Sequence, residues 1–179
     1  MNSFLPIIYL TIVTSILIVL IVFLFRQILQ KKEIEQTLSN LQSKIRANNA
    51  DNLDYYSLGI IYLSKKLFDQ AILQFRCALK NWDQNDKEGL ANVYNTIGFT
   101  YSETNQYDLA IYYYTESLKC LPNYITALNN LAYAYEKKQM PEKAIETYKQ
   151  VLLYDNKNTI AQEKLEIISR RVINRDDRI

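Results

Sequence analysis

Histidine is absent from all 179 residues, glycine and proline occur three times each, and cysteine twice. Without histidine the chain lacks the commonest general base and the commonest metal ligand. The three glycines, Gly59, Gly89 and Gly98, are too scattered to make a phosphate-cradling loop. Cys77 and Cys120 form no Cys-x-x-Cys pair, so zinc and thioredoxin-type sites are excluded on spacing, and free thiols are expected. Acidic residues are scattered without a cleft to pair them. No catalytic residue, cofactor, metal site or small-molecule substrate is therefore expected. Charge is equally uninformative for nucleic acid. Residues 1–50 carry five Lys/Arg and two acids, which leaves the remaining chain at −1 of the total +2. A near-neutral domain has no electrostatic footprint for a polyanion.

What the chain does contain is a pattern repeated three times. Tyr55-x-x-Leu58-Gly59-x-x-Tyr62 is followed by Ala71, Phe75 and Ala78. Tyr94-x-x-Ile97-Gly98-x-x-Tyr101 is followed by Ala110, Tyr114 and Ser117. Leu128-x-x-Leu131-Ala132-x-x-Tyr135 is followed by Ala144, Tyr148 and Val151. The step from Gly98 to Ala132 is the 34-residue tetratricopeptide period, and the step from Gly59 to Gly98 is longer by five, an insertion near Trp82–Gly89. Apolar spacing of 3.6 makes each repeat two antiparallel helices. Gly59 and Gly98 would each cost about 1 kcal/mol against Ala in a helix interior, which makes sense where a neighbouring helix comes close. Ala71, Ala110 and Ala144 are the matching small residues on the second helices, with Tyr62, Tyr101 and Tyr135 between helices. Pro122 closes the second repeat.

The predicted architecture is all-α: an N-terminal transmembrane helix, a linker helix, and an α-solenoid of three helix pairs with a C-terminal capping helix. The segments are 4–25 for the span, 26–50 for a basic juxtamembrane linker helix, and 51–173 for the repeat domain. Within that domain the repeats cover about 52–85, 91–124 and 125–158, the cap 158–173, and 174–179 is a fraying tail. Asn158 is the predicted N-cap of the last helix. Ala161, Leu165, Ile168 and Val172 form its apolar stripe, and Glu163, Lys164, Glu166, Arg170 and Arg171 its charged side.

Phe4 to Phe25 is a run of 22 residues without a charge, 17 of them Phe, Leu, Ile or Val. As a helix it spans roughly 33 Å, enough for a hydrocarbon core of about 30 Å, with Pro6 tolerated in the first turn. A cleaved signal peptide fits poorly, because no basic segment precedes the run and no small-x-small site follows. Arg26, Lys31 and Lys32 follow the run directly, which keeps the repeats on the cytoplasmic-type side. Ile34, Leu38, Leu41 and Ile45 make a heptad-like seam over barely two heptads. Two uses fit it: self-association, or packing as an N-terminal cap on repeat one.

In stacked two-helix repeats the first helices line a groove. The residues placed there are Tyr56, Ser57, Ile60, Asn95, Thr96, Phe99, Asn129, Asn130 and Tyr133. Asn95 and Asn129 occupy equivalent positions and suit hydrogen bonding to a peptide backbone. Ile60, Phe99 and Tyr133 share another position and make an apolar stripe. The chaperone-tail carboxylate clamp of Lys, Asn and Arg is missing, its places taken by Tyr56, Ile60, Thr96, Thr126 and Asn130. That argues against a chaperone-tail receptor.

The layout, together with the stretch Asp86 to Gly98 and the block Ala127 to Ala132, resembles the membrane-anchored tetratricopeptide family of red-algal plastids and cyanobacteria (hypothetical chloroplast frame thirty-seven). The resemblance covers essentially the whole chain. It implies a stroma-facing thylakoid protein that helps assemble or stabilise photosystem I, with photosystem I subunits or assembly intermediates as partners. The alternative is an accessory repeat protein of a bacterial or endosymbiont secretion or envelope complex.

Overall fold

The structure is a computed structural model that describes residues 4–176, without the side chains of residues 5–7 and 171–176. The expected roles of Pro6, Arg171 and Val172 therefore lie outside the described side chains. Among the described residues there are eight helices and no strand. They divide into two units, 1–49 and 50–179.

The first unit is one helix, α1 (Phe4–Arg46). It is the one described helix long and apolar enough to cross a membrane. Its apolar residues from Ile8 to Leu29 are nearly all exposed. The hydroxyls of Thr11 and Ser15 donate to Ile8 O at 2.8 Å and Thr11 O at 2.7 Å. Thr14 donates to Thr11 O at 3.0 Å. These bonds satisfy the hydroxyls inside the helix, the condition for tolerating them in hydrocarbon.

The second unit pairs α2 (Asn52–Ser64) with α3 (Phe68–Lys80), α4 (Lys87–Glu103) with α5 (Tyr107–Cys120), and α6 (Ile125–Lys137) with α7 (Pro141–Tyr154). α8 (Thr159–Asp176) follows. α2 opens with a capping box: Asp51 accepts from Asp54 N at 2.7 Å, and Asp51 N donates to Asp54 Oδ2 at 3.2 Å. α8 opens on Asn158, whose Oδ1 accepts from Ala161 N at 3.0 Å.

The glycines mark close approach, but the intruding groups are rings as well as backbone. A Cβ on Gly59 would clash with the edge of the Phe75 ring, with Cδ1 at 2.6 Å. On Gly98 it would meet Tyr114 Cδ1 at 2.7 Å and Ala110 O at 3.2 Å. Ala71, Ala110 and Ala144 are fully buried beside these contacts. Of the three recurrent tyrosines, Tyr101 is buried while Tyr62 and Tyr135 are half-buried. Gly89 serves the insertion instead. Trp82 Nε1 donates to Asp86 Oδ2 at 2.9 Å, and Asp86 Oδ1 accepts from Gly89 N at 2.8 Å. A Cβ there would lie 2.5 Å from Trp82 Nε1. Most of the insertion is an extra helical turn: α4 has 17 residues against 13 in α2 and α6. That turn adds Leu90 to the core, and the loop before it adds Trp82.

None of the glycines serves the turns. Lys66, Asn105 and Gln139, seventh after Gly59, Gly98 and Ala132, adopt φ of 59°, 60° and 56°. Each begins a Schellman-type closure in which Leu67, Gln106 and Met140 donate back to Tyr62, Tyr101 and Tyr135 carbonyls at 2.9–3.0 Å. The recurrent tyrosine thus accepts the turn bond as well as packing between helices.

α8 is in register with α6 at a spacing of 34. Ala161 and Ile168 are buried and Leu165 half-buried, matching Ala127, Ala134 and Leu131. At the places of Leu128, Ala132 and Tyr135, which face a second helix, α8 has Gln162, Glu166 and Ser169. One face stacks on repeat three and the other is polar, which is the design of a terminal cap.

Candidate partner-binding face

The first helices are joined by a polar row. Tyr56 OH lies 3.2 Å from Thr96 Oγ1. Thr96 spends its own proton on Asn92 O at 2.8 Å, so Tyr56 is the donor. One repeat on, Asn130 Nδ2 donates to Asn95 Oδ1 at 3.0 Å. The rule is the same each time: the residue third before the small motif residue bonds the residue second before it in the next repeat. Ser57 belongs to this row and is exposed at its beginning. At its other end, Asn129 Oδ1 is buried with no donor among the described residues. The residue in register to serve it is Lys164, whose Nζ sits 3.4 Å from Glu136 Oε2 instead.

Asn95 and Thr96 are consequently buried, and Asn129 and Asn130 half-buried. The open amide expected at Asn95 is a rung between α4 and α6. Packing between successive first helices runs through this row, and position in the repeat alone does not reveal that. The apolar stripe is different. Ile60, Phe99 and Tyr133 are 39%, 41% and 40% exposed, and Ile167 on α8 continues them at 37%. Ile167 stands 34 residues after Tyr133; extending the same period into the cap locates it. Lys137 Nζ lies 5.2 Å from the Tyr133 ring centroid, a cation–π contact at the edge of the stripe. Burial, with Tyr56 close by, pushes the Tyr124 hydroxyl above its ordinary pKa, which keeps the phenol neutral. Of the Tyr112–Tyr114 run, only Tyr112 is exposed.

Both cysteines are free and half-buried, Cys77 on α3 and Cys120 on α5. Burial pushes the Cys120 thiol up, away from the thiolate needed for reactivity.

Tetratricopeptide repeat models match residues 50–123 and 113–146. The chain is 47% identical over 179 residues to the ycf37 protein of Guillardia theta, covering all of both chains. It is 37% identical to ycf37 of Cyanophora paradoxa, covering 97% of this chain and 100% of that one. It is 32% identical to the chloroplastic tetratricopeptide repeat domain-containing protein PYG7 of Arabidopsis thaliana, covering 92% of this chain but 54% of the longer relative. Among solved structures it resembles MamA, with a TM-score of 0.72 at 18% identity over 82% of this chain and 83% of that one. The first repeat domain of Spaghetti (RPAP3), bound to the peptide SRMEEVD, gives 0.62 at 19% identity over 69% and 94%. These structural likenesses bear on the fold alone.

Proposed function

Because the chain belongs to the ycf37 family of plastid tetratricopeptide repeat proteins, we propose that it is a membrane-anchored scaffold that holds photosystem I subunits during assembly. Tetratricopeptide repeats bind protein partners, and that part of the function follows from the family. The observation that carries the rest is that the chain has both an exposed first-helix stripe and a helix whose first 22 described residues, 4–25, carry no charge and are long enough to span a bilayer. In this reading α1 lies in the thylakoid membrane through 4–25. Arg26, Lys31 and Lys32 meet anionic head groups on the stromal side, and the repeats work in the stroma. Tethering raises the effective concentration of face and client, so each contact can be weak and release easy. Such a scaffold needs no chemistry of its own.

The test is affinity isolation of the tagged full-length chain from gently solubilised native membranes, followed by mass spectrometry. Photosystem I subunits at sub-complex stoichiometry are the expected result. Recovery of only the bait, or of secretion and envelope components, sinks the assignment.

A further inference from the structure

The first-helix face has an unusual combination of charge and hydrogen bonding. The row sixth before the small residue (Leu53, Asn92, Thr126) joins the polar row and the apolar stripe on this face. Across these rows α2, α4 and α6 present no charged side chain, in a chain that is 22% charged. Charge enters at the far end of the face, with Lys137 over the Tyr133 ring and Glu163 and Lys164 on the cap. A charged ligand would lose its hydration along these rows of α2 and α4 and find no counter-charge in them in return. The polar groups at the middle of the face are also committed, Tyr56 to Thr96 and Asn130 to Asn95, which leaves Ser57 and Asn129 Oδ1 at its two ends. An extended ligand laid on this face would bury amides without partners, whereas a helix satisfies its own.

Spacing points the same way. Successive first helices are bridged by side chains, Tyr56 to Thr96 and Asn95 to Asn130. They therefore stand no closer than the wide end of the roughly 8–10 Å of directly packed helices, which gives the stripe one anchor per step of about 10 Å or more. Same-face residues of an extended chain recur at roughly 7 and 14 Å. Residues seven apart on a helix recur at about 10.5 Å.

We propose that the stripe Ile60–Phe99–Tyr133–Ile167 takes an uncharged α-helical segment of a partner, with apolar side chains at every seventh position. The inference rests on the scaffold reading above and names the chemistry of its client. A hydrophobic helix that has not yet been buried in its own complex has this character.

The test uses the full-length chain held in amphipol and fluorescence anisotropy of labelled peptides. One peptide, about 28 residues of Ala and Gln with Leu at every seventh place, matches the stripe by length. A second has the same composition plus a central Pro, which breaks the helix. The third is SRMEEVD. The first is expected to bind, the second about tenfold more weakly, and the third not measurably, a tenfold step being about 1.4 kcal/mol. Phe99→Asp and, separately, Ile167→Asp are each expected to weaken the first peptide by about tenfold or more, with unchanged thermal melting. Equal binding of the Pro peptide, tighter binding of SRMEEVD, or unaltered affinity in both Asp variants overturns the proposal. If photosystem I subunits co-isolate but the neutral helix does not bind, the client chemistry falls and the scaffold stands. If the helix binds and no such subunit co-isolates, the reverse holds.

Discussion

Repeats one and three solve the same packing problem with different chemistry. In repeat one the ring that enters the space at Gly59 is Phe75, and Leu63 stands four residues after the glycine. In repeat three Tyr148 stands in the place of Phe75, and Glu136 in the place of Leu63; the tyrosine donates to Glu136 Oε1 at 2.6 Å. Repeat two is intermediate, with Tyr114 in the place of Phe75 and Ser102 in the place of Leu63. Wherever the ring gains a hydroxyl, the facing position gains a polar side chain. A buried donor must be satisfied, which is a physical reason for the two positions to differ together between repeats. The small residue differs too. Gly59 and Gly98 leave no room for a methyl, whereas Ala132 carries one fully buried.

The largest break in that comparison is to force a side chain into the tight repeat. Gly98→Leu places atoms where Tyr114 and the Ala110 carbonyl already sit. It is expected to cost about 3 kcal/mol, enough to unfold a large part of the stack. Ala132→Gly, the opposite exchange in repeat three, is expected to cost only about 1 kcal/mol through helix propensity. Urea unfolding followed by circular dichroism reads both. Equal losses at the two sites would deny that the repeats differ in clearance.

Next in size is the hydroxyl–carboxylate pair. Glu136→Leu leaves the Tyr148 hydroxyl buried without its acceptor and is expected to cost about 1–3 kcal/mol. Adding Tyr148→Phe recreates the pair found in repeat one and should recover most of that loss. A double-mutant cycle measures the coupling. Additive single effects would mean that the pairing of ring and partner across repeats is incidental.

The same contrast predicts a pH dependence confined to the later repeats. Burial first, and then the hydrogen bond to Glu136, raises the Tyr148 pKa above its ordinary value; burial likewise raises that of Tyr114. The folded form holds these protons more tightly than the unfolded form. Their contribution is therefore complete below about pH 10 and is lost as pH rises beyond it. Stability should fall above that pH by up to about 1.4 kcal/mol per unit for each such tyrosine. Tyr148→Phe should flatten the alkaline limb in chemical-denaturation curves. Phe75→Tyr should not flatten it.

Much of this fold is legible in the residues because its signals are local and periodic. The spacing of Gly98 and Ala132, the Asn158 cap and the uncharged run from Phe4 each need only the chain nearby. The site is legible where periodicity alone decides, as at Ile60, Phe99 and Tyr133. It is not legible where two repeats meet. Nothing in the repeat position of Asn95 says that Asn130 will occupy its oxygen, because that contact depends on the stagger between successive first helices. Ile167 is hidden for a different reason: the cap lacks the Tyr and Gly that announce a repeat, although its period is intact.

The smallest expected effect lies in the turns, where all three repeats agree. Lys66, Asn105 and Gln139 hold left-handed backbone with side chains that disfavour it, Asn least. Lys66→Gly and Gln139→Gly should each stabilise the stack by roughly 0.5–1 kcal/mol, because glycine enters that region freely while the Schellman bond stays in place. Asn105→Gly should gain less, since asparagine already tolerates the conformation. Midpoints of urea unfolding at constant slope order the three. A loss of stability at Lys66 or Gln139 would mean that the side chain, and not the backbone, holds the turn.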